Sequence, residues 1–343
     1  ALAASVLLFG CSTISGSKTG NTTTVAGSDV DGATSAISIA EDSVSSSFSL
    51  VDGDGNAISP SNGVYSLVAA GTYTATGKLE EGQIYVNAPS AEVEVDLEGV
   101  SISNSSISPI FVYDCSDFSL KAKKKTDNYI YDNRTTDFSS AGDDTIGTAA
   151  IYAKNGDIKI KGSGTLSVTS LANSGIHGKD NVSVQNVTML VKAVNNGIKG
   201  NDKVTIKENP TLGIVAGNNG IKTSNSEMGS SAQHGYVYIN GGTITINSYG
   251  DGIDAAYSVV FGTSTDEDNI TYTPTVDIYT NIYSSYTESS SSSASKRSAG
   301  HGVPGGPGGG GFDGGGMNGG SSAEKSDSSA KAIKAVESID VDA

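Results

Sequence analysis

Large apolar side chains are scarce in this sequence. Its 343 residues include no tryptophan and only 7 phenylalanines, and 36% of them are hydrophobic. Such a chain cannot fill a broad globular core, because that core needs many bulky apolar side chains. A stack of small repeats around a narrow apolar centre fits the composition better, so internal repeats are the first feature to look for.

Cysteine and basic residues are also few. Cys11 and Cys115 are too few for a disulfide framework, and Cys115 is expected to be a packed free thiol. The 21 basic residues are outnumbered by 37 acidic ones, which gives a formal net charge of −16. No nucleic-acid partner is expected, because phosphate binding needs clustered lysine and arginine.

The N-terminal run is apolar and rich in small residues. Residues 1–11 end in Leu8-Phe9-Gly10-Cys11, which is similar to the tail of a secretory signal followed by a lipobox. The run is too short to span a bilayer. This similarity implies that Cys11 carries a lipid and that the protein is extracytoplasmic, anchored to a bacterial cell envelope or displayed on the cell surface. A truncated ordinary signal with an incidental cysteine is the alternative.

Two segments have low-complexity composition. Residues 12–44 are rich in Ser, Thr, Gly and Asp, and residues 284–330 contain a serine run followed by a glycine-rich stretch. Neither segment has enough apolar residues to offset the entropy lost on ordering. They predict a flexible linker and a disordered insertion, which flank a repeat domain over residues 45–283. Residues 331–343 are interpreted as the truncated start of a further repeat.

The repeat domain is marked by Gly-Ile pairs. The isoleucines Ile176, Ile198, Ile221 and Ile253 follow one another at spacings of 22, 23 and 32 residues. Short alternating strands follow each pair, and an insertion over residues 226–234 explains the longest spacing. Helical periodicity is absent. The pattern predicts an all-β, three-sided parallel β-helix with rungs of about 22 residues, a rung being one coil of three strands.

The repeating unit resembles a known protein family. Gly-Ile-Lys, then Val-Thr-Ile, then Gly-Gly-Thr-Ile-Thr-Ile is similar to bacterial secreted carbohydrate-binding β-helix proteins, which are often lipoproteins. The resemblance covers residues 64–343. It implies a right-handed β-helix like that of pectate lyases, binding of cellulose or acidic sugars, and bound calcium. Lys123 to Lys125 and Lys207 to Pro210 depart from the family pattern, which puts the ligand preference in doubt.

The position after each marker isoleucine forms a candidate ligand-binding column. Neighbouring rungs of a β-helix stack equivalent outward positions one above another. Aromatic rings can stack on sugar faces, and stacked lysines attract anionic groups such as uronate carboxylates. Alternatively, the rings pack against each other and the lysines pair with carboxylates. The predicted ligand-binding residues are Tyr85, Phe111, Tyr152, His177, Lys199 and Lys222.

A second set of positions carries oxygen ligands. Four residues after the marker isoleucines the sequence has Asp or Asn, and Asp251 and Asp254 flank the last Gly-Ile pair. Calcium prefers such ligands, so Asp180, Asp202, Asp251 and Asp254 are predicted to bind calcium. Asx residues that end strands by bonding their own backbone are the alternative.

Catalytic patterns are missing from the sequence. Its two arginines fall in irregular or low-complexity segments, and its three histidines have no acidic partner at motif spacing. We therefore expect a monomeric, non-catalytic protein that binds cellulose, an acidic polysaccharide such as polygalacturonate, or both, with calcium. The alternatives are a calcium-dependent lyase with a lysine base and a structural adhesin or stalk.

Overall fold

The computed structural model describes residues 47–134, 145–227, 234–280 and 330–341, and the backbone of residues 6–8, 22–23 and 39–40. Every regular element among them is a β-strand, which confirms the all-β class. None of the described segments is a helix that could cross a membrane.

The strands of the described residues are numbered in chain order. They are β1 (Val6–Leu8), β2 (Thr22–Thr23), β3 (Ile39–Ala40), β4 (Ser49–Val51), β5 (Val64–Leu67), β6 (Gly71–Glu80), β7 (Gln83–Asn87), β8 (Glu92–Asn104), β9 (Ile110–Asp114), β10 (Asp117–Ala122), β11 (Asp127–Asp132), β12 (Ala149–Ala153), β13 (Asp157–Gly162), β14 (Thr165–Ser170), β15 (Ser174–Gly178), β16 (Asn181–Gln185), β17 (Thr188–Ala193), β18 (Ile198–Gly200), β19 (Lys203–Ala216), β20 (Ile221–Thr223), β21 (Tyr236–Ser248), β22 (Ile253–Ala255), β23 (Ser258–Phe261), β24 (Ser264–Thr265), β25 (Thr271–Tyr272), β26 (Thr275–Thr280), β27 (Ile333–Ala335) and β28 (Ser338–Val341).

One column of parallel strands carries the Gly-Ile markers. We call it the isoleucine sheet, and its order is β27-β22-β20-β18-β15-β12-β9-β7-β5. Each strand pairs in parallel with the strand of the next repeat, which confirms the predicted alignment of the markers. The aligned isoleucines are Ile84, Ile110, Ile151, Ile176, Ile198, Ile221, Ile253 and Ile333.

The other parallel strands form one larger sheet rather than two separate ones. Its second column contains β10, β13 and β16, and its third column contains β11, β14 and β17. The long strands β8 and β19 pair with both columns, so eight strands close into a ring. A change of register between Glu208 and Thr211 marks the bend in β19.

The core lies between the three columns. Inward Val, Ile and Leu side chains from every rung form one continuous apolar cluster. The glycine of each marker is required by packing: a Cβ on Gly197 would overlap Cγ2 of Ile214, and a Cβ on Gly220 would overlap Cγ2 of Ile246. The Gly-Ile pair therefore places the isoleucine sheet directly against the third column.

Several strands depart from the parallel stack. Strand β4 pairs antiparallel with β6 at the N-terminal end, and β24 and β25 form an antiparallel hairpin. Strands β2 and β3, inside the predicted linker, pair antiparallel with each other, and β1, inside the predicted signal remnant, pairs in parallel with β26. Cys11, the rest of the linker and residues 284–329 of the predicted insertion lie outside the described residues.

Cys115 is a buried free thiol, as the sequence predicts. Burial, together with the nearby carboxylates of Asp117 and Asp114, raises the pKa of its thiol to about 12. Its thiolate is therefore scarce at neutral pH, which fits a packing role rather than a reactive one.

Candidate functional site

The predicted ligand-binding residues occupy one column of the isoleucine sheet. We call this outward column, from Tyr85 at one end to Lys334 at the other, the marker column. The strand register joins each member to the next, in the order Tyr85, Phe111, Tyr152, His177, Lys199, Lys222, Asp254 and Lys334. Their alignment is thus observed, whereas their role in ligand binding stays a prediction.

The middle of the aromatic half is covered. Phe111 is 2% exposed and Tyr152 is 0% exposed, and together with Ala149 they form a small buried cluster. Their ring centroids are 5.3 Å apart, and those of Phe111 and Tyr85 are 5.6 Å apart. Stacking of a sugar on Phe111 or Tyr152 does not fit this arrangement, because neighbouring side chains already occupy the ring faces. Phe111 and Tyr152 therefore match the alternative expectation that the rings of this column pack against each other.

A buried ion pair fastens the segment that returns to β12. Arg134 donates to Asp132 through Nε and Nη2, both at 2.7 Å, and Nη1 donates to the carbonyl oxygen of Gly147 at 2.8 Å. Nearby, the Thr148 hydroxyl lies 2.8 Å from His177 Nδ1. The segment around Gly147 is therefore held against the aromatic half of the marker column, where Gly147 approaches the Tyr152 ring.

An exposed aromatic residue missed by the sequence predictions lies beside this half. Tyr113 is 39% exposed, and its ring centroid lies 6.1 Å from that of Tyr85, which is partly exposed. Lys154 Nζ lies 4.6 Å from the Tyr113 ring centroid, close enough for a cation–π contact. Strand alternation could have identified Tyr113, because it follows Phe111 by two residues and faces the same side.

The two lysines predicted to bind ligand differ in their ion pairing. Lys222 forms an ion pair with Asp254, as the alternative interpretation of the lysines predicts. Lys199 forms no ion pair within the described part of the chain. Burial lowers the pKa of Lys199, and the ammonium groups of Lys222 and Lys179 lower it further. An anionic ligand would relieve that repulsion.

His177 is held between two polar neighbours. Its Nδ1 contacts the Thr148 hydroxyl at 2.8 Å, and its Nε2 lies 3.2 Å from Asn201 Oδ1. The ring is buried, and its centroid is 5.4 Å from that of Tyr152. His177 therefore joins the two halves of the column and fixes the local geometry.

Two of the predicted calcium ligands are engaged by lysines. Asp254 accepts from Lys222 and lies 3.1 Å from Lys334 Nζ, while Asp251 accepts the backbone N–H of Lys331 at 2.8 Å. Burial opposes ionisation of Asp254, but the hydrogen bonds from both lysines outweigh it and lower its pKa. A carboxylate already compensated by two ammonium groups does not fit a calcium ligand.

The other two predicted calcium ligands have partners from other parts of the chain. Asp180 accepts the Gly156 N–H at 2.8 Å, and Asp202 accepts from Asn225 Nδ2 at 2.7 Å and faces His234 Nδ1 at 2.9 Å. Throughout the described ranges, no three His, Cys, Asp or Glu side chains are grouped so that they could hold a metal ion. These partners lie far along the chain, so the contacts do not show Asp180 or Asp202 bonding its own backbone, and calcium dependence stays a prediction.

Parallel strands stacked in register, with aligned outward side chains, define a repeat-built class of protein. The chain belongs to the family of carbohydrate-binding domain-containing proteins, whose model matches residues 61–343. The predicted resemblance to a carbohydrate-binding family is thereby confirmed.

Two individual proteins are similar to this chain. A carbohydrate-binding domain-containing protein of Acetivibrio thermocellus is 33% identical over 190 residues, which are 55% of this chain and 64% of that relative. The chain thus spans less than two thirds of that relative's length. A solved structure of a polysaccharide lyase-like protein from C. thermocellum, a gadolinium derivative, aligns with a TM-score of 0.61 at 26% identity, over 83% of this chain and 89% of that one.

Proposed function

We propose that this protein is a monomeric, non-catalytic polysaccharide-binding protein whose marker column binds an acidic polysaccharide such as polygalacturonate. The proposed architecture is a right-handed, three-sided parallel β-helix. The three columns and their parallel pairing support this architecture, and crossover connections between parallel strands are right-handed in almost all proteins.

The observation that carries the proposal is the linear arrangement of aromatic and basic side chains that are at least partly exposed. Tyr85 lies four strand steps from Lys199, or roughly 19 Å at about 4.8 Å per step. A polysaccharide lying along this stretch would contact both Tyr85 and Lys199. Tyr85 and Tyr113 would stack on pyranose rings, and Lys199 would pair with a uronate carboxylate.

A local cation is needed because the protein as a whole is acidic. Its formal charge of −16 repels a polyanion, and salt screens this repulsion only beyond a distance of about a Debye length. Lys199 suits this role because it is unpaired within the described ranges, whereas Lys222 is neutralised by Asp254. The unpaired lysine therefore supplies the attraction to the ligand.

Cosedimentation with cross-linked polygalacturonate tests the proposal. Lys199→Ala and Tyr113→Ala should each weaken binding by about tenfold, the effect of losing one charged or aromatic contact. Matched controls are Lys124→Ala and Tyr249→Ala, which remove an exposed lysine and an exposed tyrosine away from the column. Unchanged binding in both test variants would reject the marker column as the site.

A lyase is the second candidate, because two lysines have depressed pKa values. Burial lowers the pKa of Lys192 to about 8 and also lowers that of Lys199, which brings both toward the range of a general base. A lyase would release unsaturated uronide from polygalacturonate, seen as ultraviolet absorbance that grows with time and disappears in Lys199→Met or Lys192→Met. Absorbance that stays constant while the protein sediments with the polymer supports binding alone.

The proposed location is extracytoplasmic, with a lipid on Cys11. The apolar run that precedes this cysteine supports the proposal. Fatty-acid labelling of the full-length protein in bacterial cells should mark the wild type and not Cys11→Ala. Labelling of both proteins, or of neither, would contradict the anchor.

A further inference from the structure

The outer side of the third column is covered. Each of its aligned outward residues is followed by a buried core residue, because side chains alternate along a strand. Tyr129 is 1% exposed and Leu190 is 0% exposed, although neither belongs to the apolar core cluster. Their burial therefore requires cover from outside the sheet. We call these outward residues the third-column face, and they are Tyr129, Ser167, Leu190, Gly213 and Thr245.

Neighbours within the sheet cannot supply that cover. Ser167 and Gly213 flank Leu190 in the register, and both are too small to bury a leucine side chain. On the second column, by contrast, the outward residues Ser183 and Tyr238 are partly exposed. Lys192 faces the same side as Leu190, and burial lowers its pKa to about 8. The cover therefore extends beyond a single side chain.

Two described irregular parts of the chain do not explain the cover. The β24–β25 hairpin is bonded to β21 and β19, because the Ser264 hydroxyl donates to the Asn240 carbonyl oxygen at 2.6 Å and accepts from the Glu208 N–H at 2.7 Å. Strand β19 is three rungs from Tyr129 in β11, or roughly 14 Å at about 4.8 Å per rung. The segment around Gly147 lies against the isoleucine sheet instead.

The N-terminal part of the chain is held at both ends of the third column. Strand β1 pairs with β26 at one end. At the other end, the carbonyl oxygen of Ser47 lies so close to Gly77 in β6 that a Cβ there would overlap it. Eight strand steps separate β1 from β6 along the column, or roughly 38 Å at about 4.8 Å per step. About twelve extended residues span that distance, so residues 9–46 are long enough to follow the column.

We propose that residues 9–46 of this chain dock along the third-column face, in place of the flexible linker that their composition alone predicts. This segment is rich in serine and threonine and contains isolated apolar residues such as Val30 and Ile37. It suits a face on which the large side chains of Tyr129 and Leu190 are separated by small ones. The inference does not rest on polysaccharide binding, because the marker column belongs to a different sheet.

The reactivity of introduced thiols tests the cover. In a Cys11→Ser background of the full chain, Leu190→Cys places a thiol on the third-column face, and Ser183→Cys places a matched thiol on the second column. Leu190→Cys should react with a thiol reagent roughly tenfold or more slowly than Ser183→Cys, because a covered thiol reacts only after local opening. Cys115 is buried, so its lack of reaction reports that the core stays folded.

Replacement of residues 24–38 with a Gly-Ser sequence of equal length then removes the apolar side chains of the proposed occupant and keeps β2 and β3. This replacement should accelerate the reaction of Leu190→Cys about tenfold and leave that of Ser183→Cys unchanged. Thr245→Cys, a smaller change on the same face, repeats the comparison if Leu190→Cys lowers the melting temperature.

Two outcomes would overturn the proposal. The first is that Leu190→Cys and Thr245→Cys react as fast as Ser183→Cys while the native segment is present. The second is protection that survives the Gly-Ser replacement, because another segment, such as residues 135–144, would then supply the cover. Neither result bears on polygalacturonate cosedimentation, which tests the marker column.

Discussion

The two halves of the marker column have the same register but different surroundings. Phe111 and Tyr152 are buried beneath the segment held by Arg134, whereas Lys199 and Lys222 remain partly exposed. In both halves, each outward residue directly follows an inward isoleucine, and its strand belongs to the isoleucine sheet. Position in a repeat therefore determines the direction of a side chain, while the connections between rungs determine whether a ligand can reach it.

The core shared by both halves should be the most sensitive to substitution. Ile198 is fully buried, so Ile198→Asp places an uncompensated charge in the apolar cluster and should unfold the protein, at a cost of several kcal/mol. Ile198→Val, the matched control, should cost about 0.5–1.5 kcal/mol. Circular dichroism during thermal unfolding provides the measurement. An unchanged melting temperature for Ile198→Asp would contradict the register of the isoleucine sheet.

The next largest loss of stability should come from the ion pair that holds the covering segment against the aromatic half of the marker column. Arg134→Ala leaves Asp132 as a buried, unpaired carboxylate and should lower the free energy of unfolding by about 3–5 kcal/mol. Lys159→Ala removes an exposed partner of Asp117 and should cost no more than about 1 kcal/mol. Urea unfolding measures both. Equal small losses would show that Arg134 does not fasten the segment.

A pH titration of polygalacturonate binding should show whether Lys199, in the basic half of the marker column, contacts the ligand. The pKa of Lys199 is lowered in the folded protein, so its ammonium group loses its proton as the pH rises through a value below the ordinary 10.5. Polygalacturonate binding should therefore weaken as the pH rises through a value below 10.5, and Lys199→Met should bind weakly at every pH. Cosedimentation between neutral pH and 10.5 measures this dependence. Binding by the wild type that stays constant to 10.5 would exclude Lys199 as the contact.

Lys199 should also affect stability in a pH-dependent way. Because its folded pKa lies below its unfolded pKa, the unfolded chain binds more protons between these values, and stability should increase with pH in that window. Lys199→Met should remove this increase. Melting temperatures across the window provide the measurement. A slope retained in Lys199→Met would have to come from another group, for which Lys192, with a pKa of about 8, is the comparison variant.

Chelation should have the smallest effect. Asp251 and Asp254 are engaged by Lys334 and Lys222, so a chelator should change neither the melting temperature nor polygalacturonate binding appreciably. Asp254→Asn should lower the melting temperature more than the chelator does, because it leaves Lys222 and Lys334 with less compensating charge. Binding lost on chelation and restored by added calcium would instead support the calcium bridge expected from the sequence.

Much of the fold could be predicted because its signals are local. Gly-Ile spacing, two-residue alternation and the insertion before Tyr236 were sufficient to align the markers from Ile84 to Ile333. Alternation also contained the information needed to find Tyr113. The closed ring of eight strands was not predicted, because the bends within β8 and β19 leave no break in the strand pattern.

Sequence alone thus determined which residues share a column and which side of the strand each faces, since both follow from short periods along the chain. It could not determine exposure or charge pairing, which depend on contacts between distant segments. Asp251 accepts the N–H of Lys331, 80 residues further along the chain, and Arg134 donates to the carbonyl oxygen of Gly147, 13 residues further along. Tertiary structure therefore separated the buried Tyr152 from the accessible Tyr113. It also separated Lys222, which pairs with Asp254, from Lys199, which has no ion pair among the described residues, because burial and Coulomb interactions depend on distance in space.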